Sequence, residues 1–123
     1  MSSPQSSARF PKTAHLLKHA DFERVYEQGR RQFAAHLTMF YRRQEAGTAS
    51  RVGFTVSRAL GGSVTRNRIR RRVREAVRIN FEALPRGYDV VINPKRSAET
   101  AAFPELKEQV ARAFTAIARQ EGR

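Results

Sequence analysis

The chain has 123 residues, 40% of them hydrophobic and none a cysteine. That suits a domain with a modest core and removes disulfides, thiolate nucleophiles and cysteine zinc sites. Twenty-four basic residues against eleven acidic ones give a net charge of +13, a field that draws polyanions, and no apolar run approaches the roughly 20 residues of a membrane helix.

MSSPQSSARFPK lacks the apolar centre of a signal peptide, so a cytoplasmic location with no membrane partner is expected. Residues 1–12, rich in Ser, Pro and Gln, read as a flexible N-terminal arm, and 13–123 as a single domain. His15 and His19 have an i, i+4 spacing, but no HExxH pattern includes them or His36, and no metal site is expected. HADFERVYEQG sets Phe22, Val25 and Tyr26 at helical spacing and closes on Gly29, which predicts a short first helix. On periodicity alone Phe22 and Tyr26 read as core residues.

From Gln32 to Arg43 the pattern alternates. Leu37, Met39 and Tyr41 take an apolar face, while His36, Thr38, Phe40 and Arg42 take the other. EAGTAS reads as a turn, and RVGFTVS alternates again with Val52, Phe54 and Val56 inward and Gly53, Thr55 and Ser57 outward. These two strands are expected to pair as a hairpin. YDVVINP, at 88–94, is a third strand whose apolar density predicts a central place. Phe103, Leu106, Val110, Phe114 and Ile117 form a helical stripe with Pro104 near its start, which is expected to be core. The order helix, strands, helix, strand, helix is that of a small α+β sandwich.

Between the second and third strands lies GGSVTRNRIRRRVREAVRINFEAL. At 100° per residue Ile69, Val73, Ala76, Val77, Asn80 and Leu84 share one sector, and Asn67, Arg70, Arg71, Arg74 and Arg78 share the opposing one, with Glu75 to one side. Basic runs are commonly just solvated faces. Like charges at i, i+3 and i+4, however, destabilise a helix by a few tenths of a kcal/mol per pair, so a ridge without acidic partners points to an external polyanion. Lysine occurs only at Lys12, Lys18, Lys95 and Lys107, and arginine's planar fork suits phosphate and stacks on bases. Arg66, Arg68 and the glycine loop stand at the helix N-terminus, where the dipole also favours phosphate. Charge alone does not separate DNA from RNA.

GFTVSRALGGSVTRNRIRRRVREAVR resembles the bacterial ribonuclease P protein family, with TRNRIRRRVRE as its most specific part. FPKTAHLLKHADFERVYEQG is similar to the family's N-terminal helix and YDVVINP to its later strand, so the likeness runs from about residue 10 to 118. It implies a two-layer α/β sandwich of the ribosomal protein S5 domain 2-like kind, with a left-handed βαβ crossover where the general rule is a right-handed one. It also implies a single RNA-binding domain whose partners are ribonuclease P RNA and precursor tRNA, with no obligate protein partner. Arg66, Asn67, Arg68, Arg70, Arg71 and Arg74 would face the catalytic RNA. Phe22, Tyr26 and Phe40, with Thr55 and Arg58 near them, would line a cleft for the 5′ leader. Magnesium would be held mainly by the RNA subunit, which supplies the active site, and no side chain of this chain is expected to be catalytic. Ala59 and Gly62 depart from the family's usual residues, and Arg58 could replace the charge missing at Ala59.

Phe40 lies on the polar strand face, where an aromatic ring is well placed to stack a base. Among rival readings, a helix-turn-helix needs another helix just upstream of the arginine helix, where the pattern reads strand. A ribosomal or RNA-chaperone protein shares the charge but needs no aromatic cleft. An autonomous nuclease needs metal ligands, yet Asp21 and Asp89 fall in separate predicted elements.

Overall fold

The computed structural model describes residues 18–45 and 47–121; the expected arm at 1–12 and His15 lie outside the described residues. The elements are α1 (His19–Gln28), β1 (Arg30–Phe33), β2 (Leu37–Arg43), β3 (Arg51–Phe54), α2 (Ser63–Asn80), β4 (Tyr88–Pro94) and α3 (Phe103–Glu121). Short 3-10 turns occupy Arg58–Leu60, Phe81–Ala83 and Arg96–Glu99.

The four strands form one mixed sheet in the order β1-β2-β4-β3. β1 and β2 are antiparallel, with Arg31 opposite Phe40 and Phe33 opposite Thr38. The expected continuous strand over 32–43 is therefore two strands. The chain reverses where the Ala34 amide bonds the Leu37 carbonyl at 3.0 Å, and Phe-Ala-Ala-His carries none of the usual turn residues. The expected hairpin of Leu37–Arg43 with Arg51–Phe54 is also overturned, because β4 lies between them, antiparallel to β2 and parallel to β3. β4 is buried on both faces, and only a central strand provides cover on both sides. The parallel β3–β4 pair is joined through the crossover helix α2. Val56, expected inward on that strand, lies past the end of β3 at Phe54.

One sheet face carries the main core. Leu37, Met39, Tyr41, Val52, Val90 and Ile92 meet Ile69, Val73, Ala76 and Val77 of α2, together with Leu106, Val110, Phe114 and Ile117 of α3. Asn80, the one amide in the apolar sector of α2, donates to the Ala76 carbonyl at 2.9 Å and to the Lys107 carbonyl at 3.0 Å. It thereby fastens α2 to α3.

The opposite face is only partly covered, by α1, where Val25 and Val91 are buried. Gly29 ends α1 with extended backbone, φ −88°. Its requirement is space, because a Cβ there would stand 2.4 Å from the Val25 carbonyl oxygen and 2.6 Å from that of Tyr41. α1 is also held by charge. Arg51 donates from Nε and Nη2 to the two carboxylate oxygens of Asp89 at 2.9 and 2.7 Å, and its Nη2 lies 3.4 Å from Oδ1 of Asp21. Asp21 accepts the Lys18 backbone N–H at 2.9 Å and Arg24 Nη2 at 2.5 Å. The Lys18 amide above all, then Arg51 and Arg24, hold the Asp21 carboxyl below its ordinary range against the opposing effect of burial. The two aspartates expected in separate elements thus meet on one guanidinium.

Candidate nucleic-acid interface

Two surfaces bear the residues expected to bind RNA. The first is the outer side of α2. It follows Gly61, whose φ of +136° favours glycine. Its first turn contains no acidic residue, and its N-cap, Gly62, supplies no side-chain cap. Asn67, Arg68, Arg71 and Arg74 are exposed, and Arg66 and Arg70 are half-buried. Arg66 folds back to donate to the Gly61 carbonyl at 3.1 Å, and Arg70 donates to Oδ1 of Asn67 at 2.7 Å. Arg71 has no hydrogen bond or ion pair with another described residue.

The ridge is less free of acid than its pattern suggests. Arg78 donates from Nε to Oε1 of Glu75 at 2.9 Å and also meets Oε2. The pair lowers the Glu75 pKa and raises that of Arg78, the Arg78–Glu75 hydrogen bond being the largest cause of both shifts. One helical turn brings such residues together, so Arg78 leaves the expected ridge. Arg68 Nη1 lies 3.7 Å from Oε2 of Glu99, a loose contact at an exposed side chain.

Arg72 behaves differently from its neighbours. It turns toward the Arg96–Glu99 segment and donates to the carbonyls of Ala98, Glu99 and Ala101 at 2.7, 2.9 and 2.5 Å. Its charge is spent inside the protein. Arg72→Ala is expected to lower stability by about 2 kcal/mol, the scale of hydrogen bonds from a charged donor, while leaving the salt dependence of RNA binding unchanged. Urea unfolding and a salt titration check both halves, and a flattened salt dependence at full stability would place Arg72 among the RNA contacts instead.

The second surface is the part of the sheet that α1 leaves open. Tyr26 leans from α1 over this face, 39% exposed. Its hydroxyl lies 2.8 Å from Oγ1 of Thr55 and donates to Oδ1 of Asn93 at 2.9 Å. Phe40 meets the Tyr26 ring edge to face, with centroids 4.9 Å apart and planes at 82°. The Thr55 amide bonds the Ile92 carbonyl at 2.9 Å, which continues the β3–β4 pairing one step and sets Thr55 beside Asn93. The structure thus brings Tyr26, Phe40 and Thr55 together. Phe22 is half-buried one turn earlier on α1, and Arg58 is exposed in its 3-10 turn. Among the described residues no hydrogen bond or ring contact joins either to this cluster. Ala59 is exposed in the same turn, its amide bonded to Oγ of Ser57 at 3.0 Å.

Two members of the cleft escaped the sequence reading. Asn93 was signalled by alternation in YDVVINP, which sets it opposite to Ile92. Arg31 lies 5.8 Å from the Phe40 ring centre, but β1 begins at Arg30, two residues before the alternating pattern that starts at Gln32. Elsewhere, His36 joins the turn after β4 to α3 through Ser97 Oγ at 2.7 Å and Glu105 Oε2 at 2.8 Å. Among the described residues no three His, Cys, Asp or Glu groups cluster as a metal would require. The element upstream of α2 is a strand followed by a 3-10 turn, so a helix-turn-helix is absent there. No described helix is long and apolar enough to cross a membrane.

The family model for Ribonuclease P matches residues 10–118. The ribonuclease P protein component of Symbiobacterium thermophilum is 40% identical over 104 residues, covering 84% of this chain and 90% of that protein. That of Clostridioides difficile is 36% identical over 102 residues, covering 82% and 89%. Among solved structures, the RNase P protein from Thermotoga maritima superposes with a TM-score of 0.73 at 25% identity, covering 83% of this chain and 96% of its own. The RNase P protein of Staphylococcus aureus has the same fold, with a TM-score of 0.71 at 23% identity and coverage of 88% and 97%.

Proposed function

Since the chain belongs to the ribonuclease P protein family, we propose that it divides its RNA contacts between two surfaces, the α2 ridge for the catalytic RNA and the open sheet face for the 5′ leader of precursor tRNA. As a ribonuclease P protein component it is a subunit of the ribonucleoprotein endoribonuclease that processes tRNA 5′ leaders, and it works with ribonuclease P RNA.

The observation that carries the division is the difference in chemistry between the surfaces. The ridge offers five cations and an amide on helical spacing, Arg66, Asn67, Arg68, Arg70, Arg71 and Arg74, of which Arg68, Arg71 and Arg74 are exposed cations that match a phosphate backbone. The cleft offers Phe40 and Tyr26 with the polar tips of Thr55 and Asn93. Rings beside hydrogen-bonding groups suit unpaired bases, and a leader is single-stranded. Phe22 and Arg58 would border that cleft.

In this reading the protein positions substrate and screens charge. The hydrolytic chemistry would be supplied by magnesium held in the RNA subunit. The only two aspartates of the chain are already engaged by Arg51, which supports assigning the metal to the RNA. The setting would be the cytoplasm, where precursor tRNA is made.

Phe40→Ala tests the cleft. A lost base–aromatic stack is worth about 1–3 kcal/mol, so the reconstituted ribonucleoprotein should bind leader-bearing precursor about tenfold more weakly and mature tRNA unchanged. Assembly with the RNA subunit should be normal. Equal losses for precursor and mature tRNA would remove the leader from this face.

A further inference from the structure

Outside the cleft as described, the most exposed aromatic side chain among the described residues is Phe33, 71% exposed at the end of the edge strand β1. Phe33 pairs with Thr38, and Arg31 with Phe40. Cross-strand partners point to the same face, so Phe33, Arg31, Thr38 and Phe40 all stand on the open side of the sheet. The Arg31 guanidinium carbon lies 5.4 Å from the Phe33 ring centre and 5.8 Å from that of Phe40. Both distances are within cation–π range.

This arrangement has no evident use inside the fold. Phe33 belongs to an edge strand and adds no residue to the buried core, and Arg31 makes no ion pair with any described residue. A ring and a guanidinium held apart from the core, beside two further rings, form a continuous row: Tyr26, Phe40, Arg31, Phe33. Phe40 and Phe33 are diagonal cross-strand neighbours, with backbones roughly 7–8 Å apart. That interval is close to one step of an extended single strand.

We propose that Arg31 and Phe33 form a second stacking position, next to Phe40, that takes a further unpaired base of single-stranded RNA. The proposal rests on the cleft reading and extends it across the sheet to β1. An RNA occupant is favoured over a protein one by the continuity of the row with the cleft and by its charge: the Arg31 guanidinium stands between the two rings, in a chain of net charge +13. Arg31 would stack on or bridge to the base and offset the phosphate charge beside it.

The test uses the reconstituted ribonucleoprotein and precursor tRNAs whose leaders are shortened one nucleotide at a time. Phe33→Ala should weaken binding of long-leader precursor about fivefold to tenfold. It should have no effect on mature tRNA, nor on precursors whose leader ends before β1. Phe33→Trp should restore the affinity. The exposed position makes a folding defect unexpected, and circular dichroism together with affinity for the RNA subunit checks this.

If Phe40→Ala discriminates by leader while Phe33→Ala changes nothing at any leader length, the second position is wrong and the cleft stands. If neither variant discriminates, the cleft reading falls and this inference with it. A loss that is equal for mature tRNA would assign Phe33 to the tRNA body or the catalytic RNA. A loss of self-association by sedimentation, with leader binding unchanged, would assign it to a protein contact. Either result overturns the proposal.

Discussion

Replacing Arg51 by Met is expected to cost the fold about 3 kcal/mol and to lower the melting temperature by roughly 10 °C. The side chain is 29% exposed, yet it faces two carboxylates whose side chains are 3% and 8% exposed. Removing the cation leaves Asp89 without its bidentate partner in a site with little access to water, and desolvated charge without a counterion is among the costliest changes a core can suffer. Native domains hold only about 5–15 kcal/mol in reserve. Urea unfolding measures the loss, and a variant within 0.5 kcal/mol or so of wild type, the ordinary range for surface changes, would show the cluster to be dispensable.

The same cluster sets an acid dependence. The folded pKa of Asp21 lies below its ordinary 3.8. Its contribution is therefore complete above the unfolded value and is lost as pH falls through the lower folded value. The stability gap between wild type and Asp21→Asn should hold from neutrality down to about pH 4 and close below it. Because Asp21 fastens α1 to the sheet, and α1 carries Tyr26, a weakened cluster should also loosen one wall of the cleft.

The second large effect belongs to the ridge. Combining Arg68→Ala, Arg71→Ala and Arg74→Ala should weaken assembly with ribonuclease P RNA about a hundredfold near physiological salt. The logarithmic salt slope should become shallower by about 2 to 3, since each neutralised phosphate contributes roughly 0.7–0.9. Stability should change little, because these side chains are exposed. An unchanged slope would take all three out of the phosphate contacts. Arg72→Ala is the internal control, a neighbour of the same chemistry whose loss should appear in stability alone.

That contrast shows what the chain discloses about itself. Helical period separated the inward Ile69, Val73, Ala76 and Val77 from the outward Asn67, Arg71 and Arg74, because one face of a helix must be apolar to pack. Period could have flagged Arg72 too, since it lies about 60° from Ile69 and 40° from Ala76 at 100° per residue. Its carbonyl partners, however, come from a turn some 26 residues away, and no local pattern encodes that meeting. Alternation placed Phe40 on the outer face and apolar density placed β4 at the centre, both of them local signals. Sheet order was illegible because pairing depends on which strand satisfies β4 on its second edge. The turn signal at EAGTAS suggested a neighbour that the crossover then displaced. Arg51 joining Asp21 to Asp89, and Arg31 lying between Phe33 and Phe40, likewise exist only once the sheet has assembled.

The division of labour between ridge and cleft can be read in one crosslinking measurement. The chain has no cysteine, so a single introduced thiol carries a photoreactive probe without competition. Val64→Cys places it on the ridge side of α2, at a position 73% exposed and in helical line with Asn67 and Arg71. Thr38→Cys places it on the open sheet face, between Phe33 and Phe40. In the ribonucleoprotein bound to precursor tRNA, the probe at 64 is expected to label ribonuclease P RNA and the probe at 38 the leader. Labelling of the leader from 64, or of the catalytic RNA alone from 38, would contradict the assignment.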